Sequence, residues 1–140
     1  MNYLLDTCVL SELVKTSPSD KVLAWLSRKQ AQQLYISSIT WAELHRGVAK
    51  LPASKRRNEL TEWLADLDEQ FGDRKLPFCA KTAENWALIT RDLESQGKSM
   101  PVIDSLICAT AQYYKMTLVT RNTKDLGAVP LARHSSMLLF

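Results

Sequence analysis

The sequence predicts an α/β fold with a parallel sheet, and three observations predict it. Short apolar runs that suit strands alternate with longer segments of helical period. One run, Met116 to Thr120, is apolar enough to be buried on both faces. An aspartate, Asp6, stands directly behind the first strand, at the edge where open α/β sheets place their ligands.

Taken in order, Tyr3 to Leu5 is the first strand, and a brief helix follows from Cys8 to about Lys15. Pro18 and Asp20 open a second helix with Val22, Leu23 and Leu26 on one face. Leu34-Tyr35-Ile36 is the second strand, ending at Ser37-Ser38. A helix runs from Thr40 to about Lys50, and Pro52 breaks it. A long helix then begins near Ser54, with Leu60, Leu64, Leu67 and Phe71 at helical spacing and Gly72 as its C-terminal cap.

Leu76-Pro77-Phe78 suits only a sheet edge, because proline cannot donate to the ladder. Thr82 to Gln96 is a further helix, with Ala83, Trp86, Ala87 and Leu93 inward and Gly97 closing it. Ser99-Met100-Pro101 starts the next, with an apolar stripe of Ile103, Leu106, Ile107 and Ala111. After the strand ending at Thr120, Asn122 to Leu126 reads as a loop or one helical turn, and Val129 to Ala132 as a last short strand. The tail Met137-Leu138-Leu139-Phe140 is too apolar to lie in water, so it packs on this domain or on a partner.

A length of 140 residues is that of one domain, residues 1–140, large enough to bury a core without disulfides. With 46% hydrophobic and 24% charged residues the chain is not of the disordered class. A net charge of +3 does not announce nucleic acid, and the basic run Lys55-Arg56-Arg57, with Lys50 before it, reads as a solvated helix face. Three cysteines without a C-x-x-C pair argue against disulfides and zinc and fit a reducing compartment. His45 and His134 are isolated. With no signal segment and no apolar stretch near about 18 residues, the expectation is a cytoplasmic protein, neither secreted nor membrane-spanning. The four tryptophans suit partner surfaces or, more often at helical spacing, the core.

Glu43 falls in the first turn of the helix after the second strand, and Asp104 in the first or second turn of the helix near Pro101. Both then share a rim of the sheet with Asp6, provided that the strands ending at Leu5 and Thr120 are neighbours. Each acid alone has a bland reading: Asp6 caps a helix, Thr40-Trp41-Ala42-Glu43 fits a capping box, and Asp104 favours a helix N-terminus. Together they repel one another unless a cation neutralises them. Oxygen donors suit Mg²⁺ or Mn²⁺ better than zinc, and such ions most often serve phosphate esters. A haloacid-dehalogenase-like phosphatase needs a second aspartate where Cys8 stands, and a phosphate-receiver domain needs paired acids after the first strand.

Four blocks carry a family resemblance: Leu4-Leu5-Asp6-Thr7 with Val9-Leu10-Ser11-Glu12; Ile36 to Leu44 with Gly47; Met100 to Ala109; and Leu118 to Leu126. In this order and spacing the chain resembles the PIN-domain ribonucleases, and among them the VapC-type toxins of bacterial toxin–antitoxin pairs, in the FitB-like branch. The resemblance implies a doubly wound parallel sheet of four to five strands with helices on both faces. It implies an Mg²⁺-dependent ribonuclease, with Mn²⁺ as a substitute, whose catalytic and metal-holding acids are Asp6, Glu43 and Asp104. The fourth acidic position stays open between the uncharged Asn122 and Asp125. Cys8 departs from the family's asparagine, which puts in doubt a hydrogen bond near Asp6.

Thr7 and Thr120 are the expected orienting hydroxyls, with the bland alternative that both satisfy nearby backbone groups. Arg121 and Arg46 are the candidates for holding RNA phosphates, and either equally suits solvated surface. Hydrolysis of this kind leaves a 3′-hydroxyl and a 5′-phosphate. The implied partners are a cognate antitoxin covering the acidic cleft, RNA, and a second copy in a homodimer, with higher assembly in the antitoxin complex and promoter DNA reached only through the antitoxin. The competing reading is a catalytically weak RNA-binding or scaffold protein of the same fold, against which retention of all three acids argues.

Overall fold

Alternation along the first strand dictates the architecture. In Tyr3–Leu5 (β1), Leu4 is fully buried on one side and Leu5 on the other, so the sheet is covered on both faces. The computed structural model describes residues 1–122 and 137–140. Its other strands are Leu34–Ser37 (β2), Lys75–Leu76 (β3), Thr117–Thr120 (β4) and Met137–Leu139 (β5), all parallel, in the order β3-β2-β1-β4-β5. The helices are Thr7–Ser11 (α1), Asp20–Ser27 (α2), Ser38–Ala49 (α3), Lys55–Phe71 (α4), Ala80–Ser95 (α5) and Val102–Tyr113 (α6).

On one face, Leu5, Ile36 and Val119 pack with Val9, Leu10, Val22, Trp25, Leu44, Leu64 and Leu67, which places α1, α2, α3 and α4 on that side. On the other, Leu4 and Leu118 meet Ile107, Cys108, Ala111 and Met116, so α6 lies there. Helix α5 is tied to α6 by Trp86 Nε1, which donates to Ser105 Oγ at 2.8 Å, and by Asn85 Nδ2, which donates to the Ala109 carbonyl at 3.2 Å. Among the described residues no helix is long and apolar enough to cross a membrane.

Several sequence expectations move. The first helix ends at Ser11 and continues as a 3₁₀ turn, Glu12–Val14. Helix α3 starts at Ser38, because Ser37 Oγ accepts the Thr40 amide at 3.0 Å. Thr40 is therefore inside the helix rather than its cap, and Glu43 falls in the second turn, not the first. Ile103 and Ala87, expected inward, are exposed. The buried stripe of α6 runs instead through Ser105, Ile107, Cys108, Ala109 and Ala111, rotated about its axis from the one expected.

The edge strand is Lys75–Leu76, with Pro77 just outside it. The apolar tail is a fifth strand: the Phe140 amide donates to the Thr120 carbonyl at 3.1 Å and its ring meets Trp25 edge-on, with centroids 5.9 Å apart. The expected strand Val129 to Ala132, together with Asp125, His134 and most of the Asn122 to Leu126 loop, lies outside the described residues. In the basic run, Arg56 donates to the Val14 carbonyl and, with Lys55, faces Glu59.

Gly72 closes α4 as expected, at φ +50° and ψ −119°, a region side chains rarely adopt. A Cβ there meets nothing within 4 Å, so only backbone strain opposes it. Gly72→Ala is expected to cost about 1–2 kcal/mol, read as a lower Tm; an unchanged Tm contradicts this.

Candidate active site

The order of the strands locates the site. From the central β1 the chain winds through β2 and β3 to one edge and through β4 and β5 to the other, so the winding reverses between β1 and β4. A crevice opens beyond the carboxyl ends of the strands at such a reversal. The β1–β4 register pairs Leu5 with Val119. One residue further on, Asp6 and Thr120 stand side by side, and Thr120 Oγ1 donates to Asp6 Oδ2 at 2.7 Å.

Asp6 is 4% exposed and has its two oxygens divided between tasks. Oδ1 accepts the Thr7 amide at 2.8 Å and caps α1. Oδ2 accepts from Thr120 and, at 3.5 Å, from the Cys8 thiol. The capping role and the site role of Asp6 thus coexist in one carboxylate.

Glu43, half-buried on α3, accepts a short hydrogen bond of 2.5 Å from Thr7 Oγ1. The capping box offered by the sequence is not made; the glutamate turns toward α1. Asp104, in the first turn of α6, accepts from Asn122 Nδ2 at 3.1 Å, while the Asn122 amide donates to Thr120 Oγ1 at 3.0 Å. Thr120 therefore serves both Asp6 and the chain that carries Asn122.

These acids line one cavity of about 420 Å³, together with Thr7, Arg121 and Asn122. Arg46, exposed on α3, is not among its lining residues. Cys8 occupies the position where an asparagine amide was expected, and its sulfur accepts the Arg121 amide at 3.2 Å. The thiol thus supplies both a donor to Asp6 and an acceptor to the residue that follows β4.

Glu12 was missed as a site residue by sequence reasoning. It is 1% exposed, and its Oε1 accepts from Arg121 Nη1 at 2.7 Å. The Lys15 ammonium, and after it the Ser19 amide and the Arg121 guanidinium, hold its carboxyl below the usual range against the opposing effect of burial. The available signal was its place in the block Val9-Leu10-Ser11-Glu12 that carries the family resemblance.

The donor set fits a hard divalent cation. The described hydrogen-bond donors to Asp6 and Glu43 are an amide, hydroxyls and a thiol, none of them cationic. Among the described residues neither carboxylate is paired with a lysine or arginine. Among the described residues no three carboxylate, imidazole or thiol groups converge closely enough to enclose an ion by themselves.

Burial, and after it the charges of Asp6 and Asp104, push the Cys108 thiol up to about 12; burial and Asp6 also raise Cys8. Hydrogen bonds from Thr82 lower the exposed Cys79 instead. Since the thiolate is the reactive form, iodoacetamide at pH 7.5 is expected to label Cys79 first, as read by peptide mass spectrometry. Earlier labelling of Cys108 contradicts this.

Comparison with known proteins agrees with this geometry. The PIN domain pattern matches residues 3–130. Toxin FitB of Neisseria gonorrhoeae is 38% identical over 130 residues, covering 92% of this chain and 94% of that protein. VapC ribonuclease Y4jK of Sinorhizobium fredii is 36% identical, covering 91% and 92%. The crystal structure of FitAcB from Neisseria gonorrhoeae superposes with a TM-score of 0.88 at 35% identity, covering 97% of this chain and 96% of that one. With nearly the whole sequence matched, and with an acidic cavity at the carboxyl edge of a parallel sheet, this chain belongs to the PIN-domain family.

Proposed function

We propose that the chain, a single nuclease domain, is a metal-dependent endoribonuclease that acts as the toxin of a toxin–antitoxin pair. The observation that carries this is the cavity gathering Asp6, Glu43 and Asp104, in a chain more than a third identical to a protein named as a ribonuclease and to another named as a toxin. PIN-domain nucleases generally use a divalent metal, and Mg²⁺, with Mn²⁺ as substitute, is the proposed one.

The three acids are the proposed metal-holding and catalytic groups, with Asn122 or Asp125 completing the set. A bound ion there supplies activation of water and neutralisation of charge on the phosphodiester. Asp6 is held in one orientation by the Thr120 hydroxyl and the α1 cap, and Glu43 by the Thr7 hydroxyl. Arg121, on the cavity wall, offers its guanidinium to an RNA phosphate. Hydrolysis leaves a 3′-hydroxyl and a 5′-phosphate.

From the cavity, past Thr7 and Glu43, a second hollow of about 160 Å³ opens over Leu44, Val48, Leu60 and Trp63. Its apolar floor beside acidic walls suits an antitoxin segment that covers the cleft. Val102, Ile103 and Tyr113 on α6 and Leu88 on α5 are exposed apolar residues suited to a homodimer face. Higher assembly, and contact with promoter DNA, would come through the antitoxin, in the cytoplasm.

Expression without antitoxin is expected to arrest growth, and Asp104→Ala to relieve the arrest while the protein accumulates in soluble form. Arrest undiminished by Asp104→Ala contradicts the proposal. A catalytically weak RNA-binding or scaffold protein is the reading left if the purified chain binds RNA without cutting it.

A further inference from the structure

Glu12 is the buried group that the nuclease reading leaves unexplained. Its side chain, in the turn behind α1, is 2% exposed, and a carboxylate withdrawn so far from water is costly unless its charge and oxygens are met. Three groups meet it: the Ser19 amide donates to Oε1 at 3.0 Å, Arg121 Nη1 donates to the same oxygen at 2.7 Å, and the Lys15 ammonium pairs with Oε2. Lys15 and Ser19 are close in the chain and suffice for a local turn. Arg121 comes from the far side of the sequence, at the carboxyl end of β4.

Arg121 is held at two points. Its amide donates to Cys8 Sγ, and its Nη1 to Glu12. Among the described residues its Nε and Nη2 carry no hydrogen bond, and the side chain, 37% exposed, lines the cavity of Asp6 and Asp104. A guanidinium fixed by one nitrogen keeps its remaining donors in a rigid fork suited to phosphate, and has less freedom left to lose on binding. Ion pairing to a buried acid also offsets the pull of the cavity's carboxylates, which would otherwise draw the arginine into the place of a cation.

We infer that Glu12 is a positioning residue of the nuclease: by holding Arg121 Nη1 it keeps the rest of the guanidinium at the cavity wall, aimed at an RNA phosphate beside the scissile one. The inference rests on the ribonuclease reading and adds to it what fixes the substrate contact.

The test compares wild type, Glu12→Gln, Arg121→Gln and the double variant of the full chain, measuring kcat and KM on a short single-stranded RNA at several salt concentrations, with thermal unfolding of each. Glu12→Gln is expected to raise KM roughly five- to tenfold, leave kcat within about twofold, and lower the salt slope by about one phosphate contact. Arg121→Gln does the same, and the double variant is no worse than either single one, because both remove one contact. A folded Glu12→Gln with wild-type KM and salt slope overturns the inference, as do losses that multiply in the double variant. Should Glu12→Gln not fold, Arg121→Gln with wild-type KM overturns it equally. A wild type that neither binds nor cuts RNA removes the ribonuclease reading itself, a result distinct from all of these.

Discussion

Asp6→Asn is expected to lower kcat/KM for RNA cleavage by about 10³-fold or more while leaving the fold intact. The asparagine keeps an oxygen for the Thr7 amide, so the α1 cap survives. Its amide replaces Oδ2, and the Thr120 hydroxyl can rotate from donor to acceptor. What is lost is one negative charge from the most buried of the three acids. Single-turnover cleavage with Mg²⁺, beside a circular-dichroism melt, measures both halves. A variant within tenfold of wild type contradicts the assignment, whereas an unfolded one contradicts the capping argument.

The largest expected loss of stability is at Leu118. It is fully buried in β4, opposite Leu4 in register, and packs on Ile107, Cys108, Ala111 and Met116. Removing three heavy atoms from a site bounded by sheet and helix leaves a cavity that a parallel strand cannot close. Leu118→Ala is expected to cost about 3–4 kcal/mol, a large part of a total of roughly 5–15 kcal/mol. Leu13→Ala, at an exposed position of the 3₁₀ turn after α1, serves as the control, with an expected change under about 1 kcal/mol. Urea denaturation at fixed pH reads both. Equal midpoints for the two variants contradict the assignment of Leu118 to the core.

Much of the fold was legible because its signals are local. Runs such as Leu118-Val119, apolar on both sides of the strand, declare a covered parallel sheet, and Ser54 and Gly72 mark the ends of α4 through cap chemistry. What was not legible depended on distant partners. Helix α3 begins at Ser38 because Ser37 is free to cap it, while the Thr40–Glu43 pattern is drawn off by Thr7. The face of α6 is set by α5 and the sheet together, so Ile103 turns outward although its neighbours suggest the reverse. The tail reads as merely apolar, since its strand character comes from the open edge of β4.

The same division holds in the site. Asp6, Glu43 and Asp104 were visible as acids at element ends beside strands, and the structure gathers them in one cavity. Thr7 and Thr120 were expected to orient carboxylates, and their hydroxyls reach Glu43 and Asp6. Arg46, offered beside Arg121 for RNA phosphates with solvated surface as the alternative, is exposed on α3 and does not line the cavity. Glu12, quoted only as part of the family pattern, received no role of its own because its partner Arg121 is remote in the chain.

The central claim is that this chain cuts RNA by metal-dependent hydrolysis at Asp6, Glu43 and Asp104. Its most direct test is cleavage of RNA by the purified chain with Mg²⁺ or Mn²⁺ and with EDTA, followed by chemical identification of the new ends. The account predicts 3′-hydroxyl and 5′-phosphate ends and no cleavage in EDTA. Cleavage that persists in EDTA, or that leaves 2′,3′-cyclic phosphates, would contradict it.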